Sequence, residues 1–182
     1  MILYRCFAWN RRARPADTDG PLWFPRAYQG EGRHDNPDVY GCLYLADNAV
    51  SGVVEQLARF RGQRLVPGML QRRRLPLAIA ELELNDRETL IDLDDPSELV
   101  RRGLRPSEVA TRRREITQPQ ALELHRNGKE AGLRWWSTYE ALWGNVTVFD
   151  RAARRLSVLD VRALSVDDPS VAEAAELLGV AA

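Results

Sequence analysis

Eight uncharged residues, VYGCLYLA at 39–46, run straight into DNAVSGVVEQLARF. An apolar stretch of that length suits a strand covered on both faces, and the Asp47 and Asn48 that follow are both good helix N-caps. The chain therefore has to pass from a buried strand into a helix within two residues, with the helix lasting to about Phe60. Val50, Val53, Val54, Leu57 and Phe60 recur at helical spacing and give it one apolar stripe, while Ser51 and Glu55 lie off that stripe, one turn apart. Glu55 is thereby left outside the core.

The flanking segments supply a sheet around this unit. ILYRCFAW at 2–9 reads as a first strand with Arg5 in its middle, and an interior cation needs a partner. Residues 12–38 are dense in Pro, Gly, Asp and Asn, which predicts a long irregular connection, and loops of that length often carry function. LPLAIAELELN at 75–85 and TLIDLDD at 89–95 are strand candidates, the first with Glu81 and Glu83 alternating outward. Asp95, Pro96 and Glu98 then announce a short helix, RPSEVATRRR a further helical piece, and Thr117 with Gln120 a helix ending at Gly128. RLSVLDVRAL is another strand, and a capped alanine-rich helix over about 168–179 closes the chain. Helices do not alternate regularly with strands, and no internal repeat or linker is visible. The expected fold is α+β: one compact domain over 1–182, a mixed or antiparallel sheet with flanking helices.

Charge and cysteine usage narrow the function classes. The 26 basic and 26 acidic residues cancel, so the chain lacks the field of a non-specific nucleic-acid binder, and a direct nucleic-acid partner is not expected. The arginine triplets at 72–74 and 112–114 read as solvated surface. Cys6 and Cys42 sit in strand-like runs and match no metal-ligand spacing, which predicts two core thiols in a reducing compartment, no disulfide and no metal. The opening apolar run is interrupted by Arg5 and too short for a signal peptide, and no stretch is long enough to span a membrane. A cytoplasmic location is expected.

Four short motifs, weak singly, fall in a meaningful order. Arg5 lies in the first strand, GRHDNP precedes LYLA, Glu55 lies on the helix that follows, and Ser137 follows the apolar pair of GLRWWS. In this order the chain resembles the RES domain family, in which a Gly-Arg-Trp-Asn-Pro stretch precedes a strand of the YLA type and a helix bearing a glutamate. The motif-bearing core then covers about 3–161. The resemblance implies a toxin-type protein with a fold like that of the ADP-ribosyltransferases, NAD+ as substrate with no added cofactor, and a helix-turn-helix antitoxin as partner. It implies catalytic roles for Glu55, Arg5 and Ser137 and substrate contacts from Arg33, Tyr44 and His34.

The chemistry fits those residue types. Arginines clamp a pyrophosphate bidentately, a role for Arg5 and Arg33, and a fixed carboxylate, Glu55, stabilises the positive charge that develops on the ribose as nicotinamide leaves. Tyr44 offers a stacking face and Ser137 a hydrogen bond to the carboxamide or ribose. On the residues alone, however, Arg5 pairs with a buried carboxylate, Arg33 and Glu55 are solvated, Tyr44 is a core aromatic, and Ser137 caps TYEALW with Glu140 closing a capping box. Two departures stand out: His34 occupies the place of the family's tryptophan, and Trp135 and Trp136 precede the serine. The expected reaction is cleavage of the nicotinamide–ribose bond by hydrolysis or phosphorolysis. The alternatives are transfer of ADP-ribose to a protein, or a catalytically silent module that binds a nucleotide or a partner.

Overall fold

A computed structural model describes residues 1–85, 87, 89–140 and 142–180. The chain condenses into two compact units, each assembled from separated segments: Met1–Trp23, Leu45–Glu83 and Ser157–Ala182 in one, Phe24–Tyr44 and Leu84–Leu156 in the other. The fold class is α+β, with a mixed sheet and flanking helices.

In the first unit, strand β1 (Ile2–Ala8) lies antiparallel to the long strand β4 (Leu75–Leu84), in register from Ile2 opposite Glu83 to Ala8 opposite Leu77. A two-residue strand β3 (Gln71–Arg72) pairs with the start of β4, β8 (Leu156–Ala163) also pairs with β4, and the end of β2 (Cys42–Ala46) meets β1 at Tyr4 and Ala46. Alternation along β1 buries Leu3, Arg5 and Phe7 on one face, so Arg5 is carried inside by the same period of two that places the leucine and phenylalanine. Helix α1 (Ala49–Leu57) packs on β1 and on the C-terminal helix α5 (Pro169–Leu178). Asn48 caps α1 by accepting from the Ser51 amide at 2.7 Å, Asp168 caps α5 through the Ser170 amide, and Gly179 ends α5 in a left-handed conformation. The buried face of α1 is wider than the sequence pattern predicts: Ser51 and Gly52 are covered together with Val53, Val54 and Leu57, whereas Glu55 is exposed. Gly52 faces Cys6 and Ile79 on the sheet, at a spacing that a Cβ would fill with ordinary van der Waals contact.

In the second unit, β2 is followed in hydrogen-bonded order by β7 (Gly144–Phe149), β6 (Gly132–Trp136) and β5 (Leu90–Asp92). β6 and β7 are antiparallel, β5 and β6 parallel, which makes the sheet mixed. Three helices, α2 (Pro96–Arg102), α3 (Pro106–Ala110) and α4 (Arg114–Asn127), supply Leu99, Val109, Ala121 and Leu124 to a core shared with Tyr40, Ile91, Leu133 and Phe149. Gly132 is obligatory here, since a Cβ would strike the Thr147 carbonyl on the neighbouring strand. Helix α4 begins three residues before the expected cap. Thr117 lies inside it, 2% exposed, because its hydroxyl is drawn to the Arg33 carbonyl instead of to its own helix terminus. The segment after Ser137 forms turns up to Glu140, not a helix, and Ala141 lies outside the described residues.

Residues 12–38 contain only a single 3-10 turn, Arg26–Tyr28, as regular structure. The triplet at 72–74 is the tip of the β3–β4 hairpin: Arg73 and Arg74 both have positive φ, 54° and 64°. Cys6 and Cys42 are free thiols. No helix among the described residues is long and apolar enough to cross a membrane, and among those residues no group of three His, Cys, Asp or Glu side chains gathers that would hold a metal.

Candidate functional site

The loop that carries GRHDNP is built around a carboxylate. Asp35, 5% exposed, accepts from the amides of Gly30 at 2.8 Å and Gly32 at 2.6 Å and from the Tyr44 hydroxyl at 2.7 Å. The Tyr44 oxygen in turn accepts from the His34 amide at 2.9 Å. Outside this ring, α4 grips the same loop: Thr117 donates to the Arg33 carbonyl at 2.6 Å, and the Gln118 amide donates to the Gly30 and Gly32 carbonyls at 3.0 and 2.8 Å. The Asn36 side chain reaches the Tyr40 hydroxyl and the Gln118 carbonyl, and Tyr40 donates to the His34 carbonyl at 2.6 Å. Backbone groups of Gly30, Gly32, Arg33 and His34 are thus engaged by side chains of the loop, of Tyr40 and Tyr44 and of α4, which holds a loop without regular structure in place.

The side chains projecting from this frame are Arg33 and His34. The Arg33 guanidinium lies 4.4 Å from the ring centroid of Trp135 and donates to the Val109 carbonyl. His34 is 4% exposed, with its ring edge-on to Trp135 at 5.4 Å and roughly parallel to Tyr44 at 6.4 Å. Its Nδ1 lies 2.8 Å from the Thr147 hydroxyl, which also accepts from the Trp135 indole at 3.2 Å. Among the described residues that hydroxyl has no other acceptor for its single hydrogen, so it donates to Nδ1, and the imidazole keeps its proton on Nε2. Burial, with a smaller contribution from Arg33, pulls the His34 pKa down to about 3, and the ring is neutral at physiological pH. It also faces a small crevice with Leu93, Val109, Thr117 and Leu124.

Ser137 follows β6 in the same unit. It is 3% exposed, its amide donates to the Trp143 carbonyl at 2.8 Å, and its oxygen accepts from the Tyr139 amide at 3.1 Å. The serine does cap a backbone amide, but in a turn, not at a helix start.

Arg5 and Glu55 belong to the other unit. Arg5, 8% exposed, donates through one nitrogen to the carbonyls of Gly20 at 3.1 Å and Pro21 at 2.6 Å and lies 4.9 Å from the Phe7 centroid. The interior cation has met carbonyl oxygens where a buried ion pair was the bland expectation. Burial lowers its pKa to about 10 while Asp19 and Cys6 oppose the shift, which keeps the guanidinium charged. Asp19 itself pairs with Arg73 of the hairpin tip. Glu55 is exposed on α1, one turn beyond Ser51, whose buried hydroxyl has no hydrogen-bond partner among the described residues.

The RES domain profile matches residues 2–169. The chain belongs to the RES domain family. Among solved structures, a chain of the M. tuberculosis MbcT-MbcA toxin-antitoxin complex superposes with a TM-score of 0.66 at 18% identity, over 98% of this chain and 89% of that one. At that identity the likeness is one of fold. No curated protein matches the sequence.

Within the RES frame, the six residues singled out from sequence divide by unit. Arg33, His34 and Tyr44 are brought together by the Asp35 ring, and Ser137 lies in the same unit. Arg5 and Glu55 lie in the other. Asp35 and Thr147 escaped the sequence reading, and Thr117 entered it only as a helix cap. Asp35 falls in the 12–38 segment that the sequence marks only as an irregular connection, and its donors, the Tyr44 phenol nine residues away among them, reveal it as a hub. Tyr44 also differs from a free phenol: burial first, then Cys42 and Asp35, hold its hydroxyl protonated well above the ordinary tyrosine range.

Proposed function

We propose that this RES domain is a toxin-type enzyme that consumes NAD+ by breaking the nicotinamide–ribose bond, and that an antitoxin protein of helix-turn-helix type neutralises it. The observation that carries the reading is the family match across residues 2–169, together with the retention in this chain of an arginine, a tyrosine, a glutamate and a serine in the family's order. A fold shared with a chain of a toxin-antitoxin complex supports the partner.

In this reading Arg33 receives the pyrophosphate. Its guanidinium lies over the Trp135 indole face and donates to the Val109 carbonyl, and its planar fork matches the oxygens of a pyrophosphate bidentately. Arg5 holds the 20–21 segment through its two carbonyls, and its guanidinium keeps the positive charge that a phosphate contact needs. Glu55, a solvent-facing carboxylate on a rigid helix, stabilises the oxocarbenium character of the ribose as the C1′–N bond breaks, and nicotinamide departs as a neutral molecule. Tyr44 contributes its ring face and Ser137 a hydrogen bond to the carboxamide or ribose. His34 donates from Nε2 and is not a proton-transfer group, because it stays neutral across the physiological range. The acceptor is water, inorganic phosphate or a protein side chain.

The test is the loss of NAD+ with purified protein, with and without phosphate, alongside Glu55→Gln and Arg33→Ala variants checked for folding. Glu55→Gln is expected to lower kcat by about 100-fold or more, and Arg33→Ala chiefly to raise KM. Phosphate dependence would name the acceptor. A folded Glu55→Gln protein that turns over NAD+ at the wild-type rate would remove the mechanism, and NAD+ binding with no consumption by the wild type would leave a nucleotide-binding module.

A further inference from the structure

Asp35 stands between His34 and Asn36 in GRHDNP. A carboxylate 5% exposed is costly to bury unless its oxygens are satisfied, and here they are: two glycine amides and a phenol converge on it within 2.8 Å, with the Cys42 thiol 3.4 Å away. We infer that Asp35 is a positioning residue for the site, holding Arg33 and Tyr44 in one fixed relation and committing the Tyr44 hydroxyl to the protein so that a ligand meets the ring and not the phenolic proton.

The geometry leaves little alternative. Arg33 lies between Gly32, whose amide N–H Asp35 holds, and His34, whose amide N–H the Tyr44 oxygen holds, so the N–H groups of both neighbours of the arginine are tied to the same carboxylate, one directly and one through the phenol. The Tyr44 hydroxyl has one hydrogen and gives it to Asp35, and one of its lone pairs is taken by His34. Gly32 has no room for a side chain: a Cβ there would collide with the Tyr44 hydroxyl and with the Asp35 carboxylate. Three positions are therefore fitted to one another around a single charge.

The consequence for ligand chemistry rests on the NAD+ reading above. Tyr44 would select a flat, electron-poor ring or a sugar face, not a hydrogen-bond acceptor, and Asp35 would affect the binding of substrate more than the bond-breaking step. Asp35→Asn keeps the shape of the side chain, removes the charge and turns one of its two acceptor oxygens into a donor, so the glycine amides and the phenol are no longer all satisfied together and their shared contact weakens.

Two readouts separate this inference from the function it rests on. The first needs no substrate: amide hydrogen exchange followed by NMR. In Asp35→Asn the Gly30 and Gly32 amides are expected to exchange at least about tenfold faster, with amides of α5 unchanged. The second is NAD+ turnover, where KM should rise about tenfold with kcat little altered, and where Asp35→Asn should add almost nothing in a Tyr44→Phe background. Unchanged exchange at Gly30 and Gly32, or additive effects in the double variant, would overturn the inference. A wild-type protein that consumes no NAD+ would remove the functional reading, and the exchange result would still decide the role of Asp35. Should Asp35→Asn fail to fold, Tyr44→Phe carries the test: faster exchange of the His34 amide supports the ring of contacts, and unchanged exchange overturns it.

Discussion

A buried histidine, His34, shows how much a single residue's surroundings decide. His34 is buried, neutral and held through Thr147 with its proton on the outer nitrogen, so it offers one N–H donor, as an indole does. Its pKa in the folded chain, about 3, lies below the ordinary value of 6.5. Above pH 6.5 folded and unfolded chains are both neutral here, and the full contribution to stability is present. As pH falls towards 3 the unfolded chain binds one more proton, and stability drops by about 1.4 kcal/mol per pH unit. His125, whose pKa burial and Arg151 pull down to about 4, adds to the same acid limb. His34→Gln is therefore expected to flatten the dependence of unfolding stability on pH between 6 and 4 by about one proton, measured by urea titration at a series of pH values. An unchanged slope would show that the ring already titrates in the fold.

Elements were legible wherever one pattern governed them. The buried strand and capped helix at 42–57, the outward glutamates of β4 and the C-terminal helix with its Asp168 cap and Gly179 stop all follow from period, cap and stop residues close in sequence. Two elements did not. Helix α4 starts at Arg114 because Thr117 serves a loop more than eighty residues upstream, and the Ser137 segment forms turns. The β3–β4 hairpin is a third case: its two-residue tip is Arg73-Arg74, in a conformation that favours Asn-Gly, and nothing in an arginine triplet announces it. Replacing Arg74 by glycine should relieve the left-handed strain and stabilise the fold by roughly 0.5–1 kcal/mol, read as a rise in the denaturation midpoint at constant m-value. Arg73 is the less suitable target, since it also pairs with Asp19 and lies over Trp23.

At the scale of the whole molecule, the chain passes between its two compact units after Trp23, Tyr44, Glu83 and Leu156, so neither unit is a continuous stretch. The expectation of one domain over 1–182 came from the lack of a linker, and an interleaved chain has none to show. A toxin of the kind proposed should act on a cell as it acts on its substrate. Expressed alone in a bacterial host, the wild-type chain is expected to arrest growth as cellular NAD+ falls, and Glu55→Gln to be tolerated at the same expression level. Growth with undiminished NAD+ at high levels of folded wild-type protein would count against a toxin.

Local physics lets the sequence alone determine the α+β class, the strand feeding α1, the exposure of Glu55 and the burial of Arg5, because alternation, helical periodicity and caps act over a few residues. The order of four short motifs likewise identified the family that the profile match then showed. Only the tertiary structure decided what Arg5 pairs with, which ring nitrogen of His34 carries the proton and that Asp35 organises its loop. Each of those outcomes depends on groups far apart in the chain: Gly20 and Pro21 for the arginine, Thr147 for the histidine, Tyr44 for the aspartate. Hydrogen bonds between such distant groups leave no periodic trace in a sequence, since satisfying a buried charge constrains which atoms meet in space and not how many residues separate them.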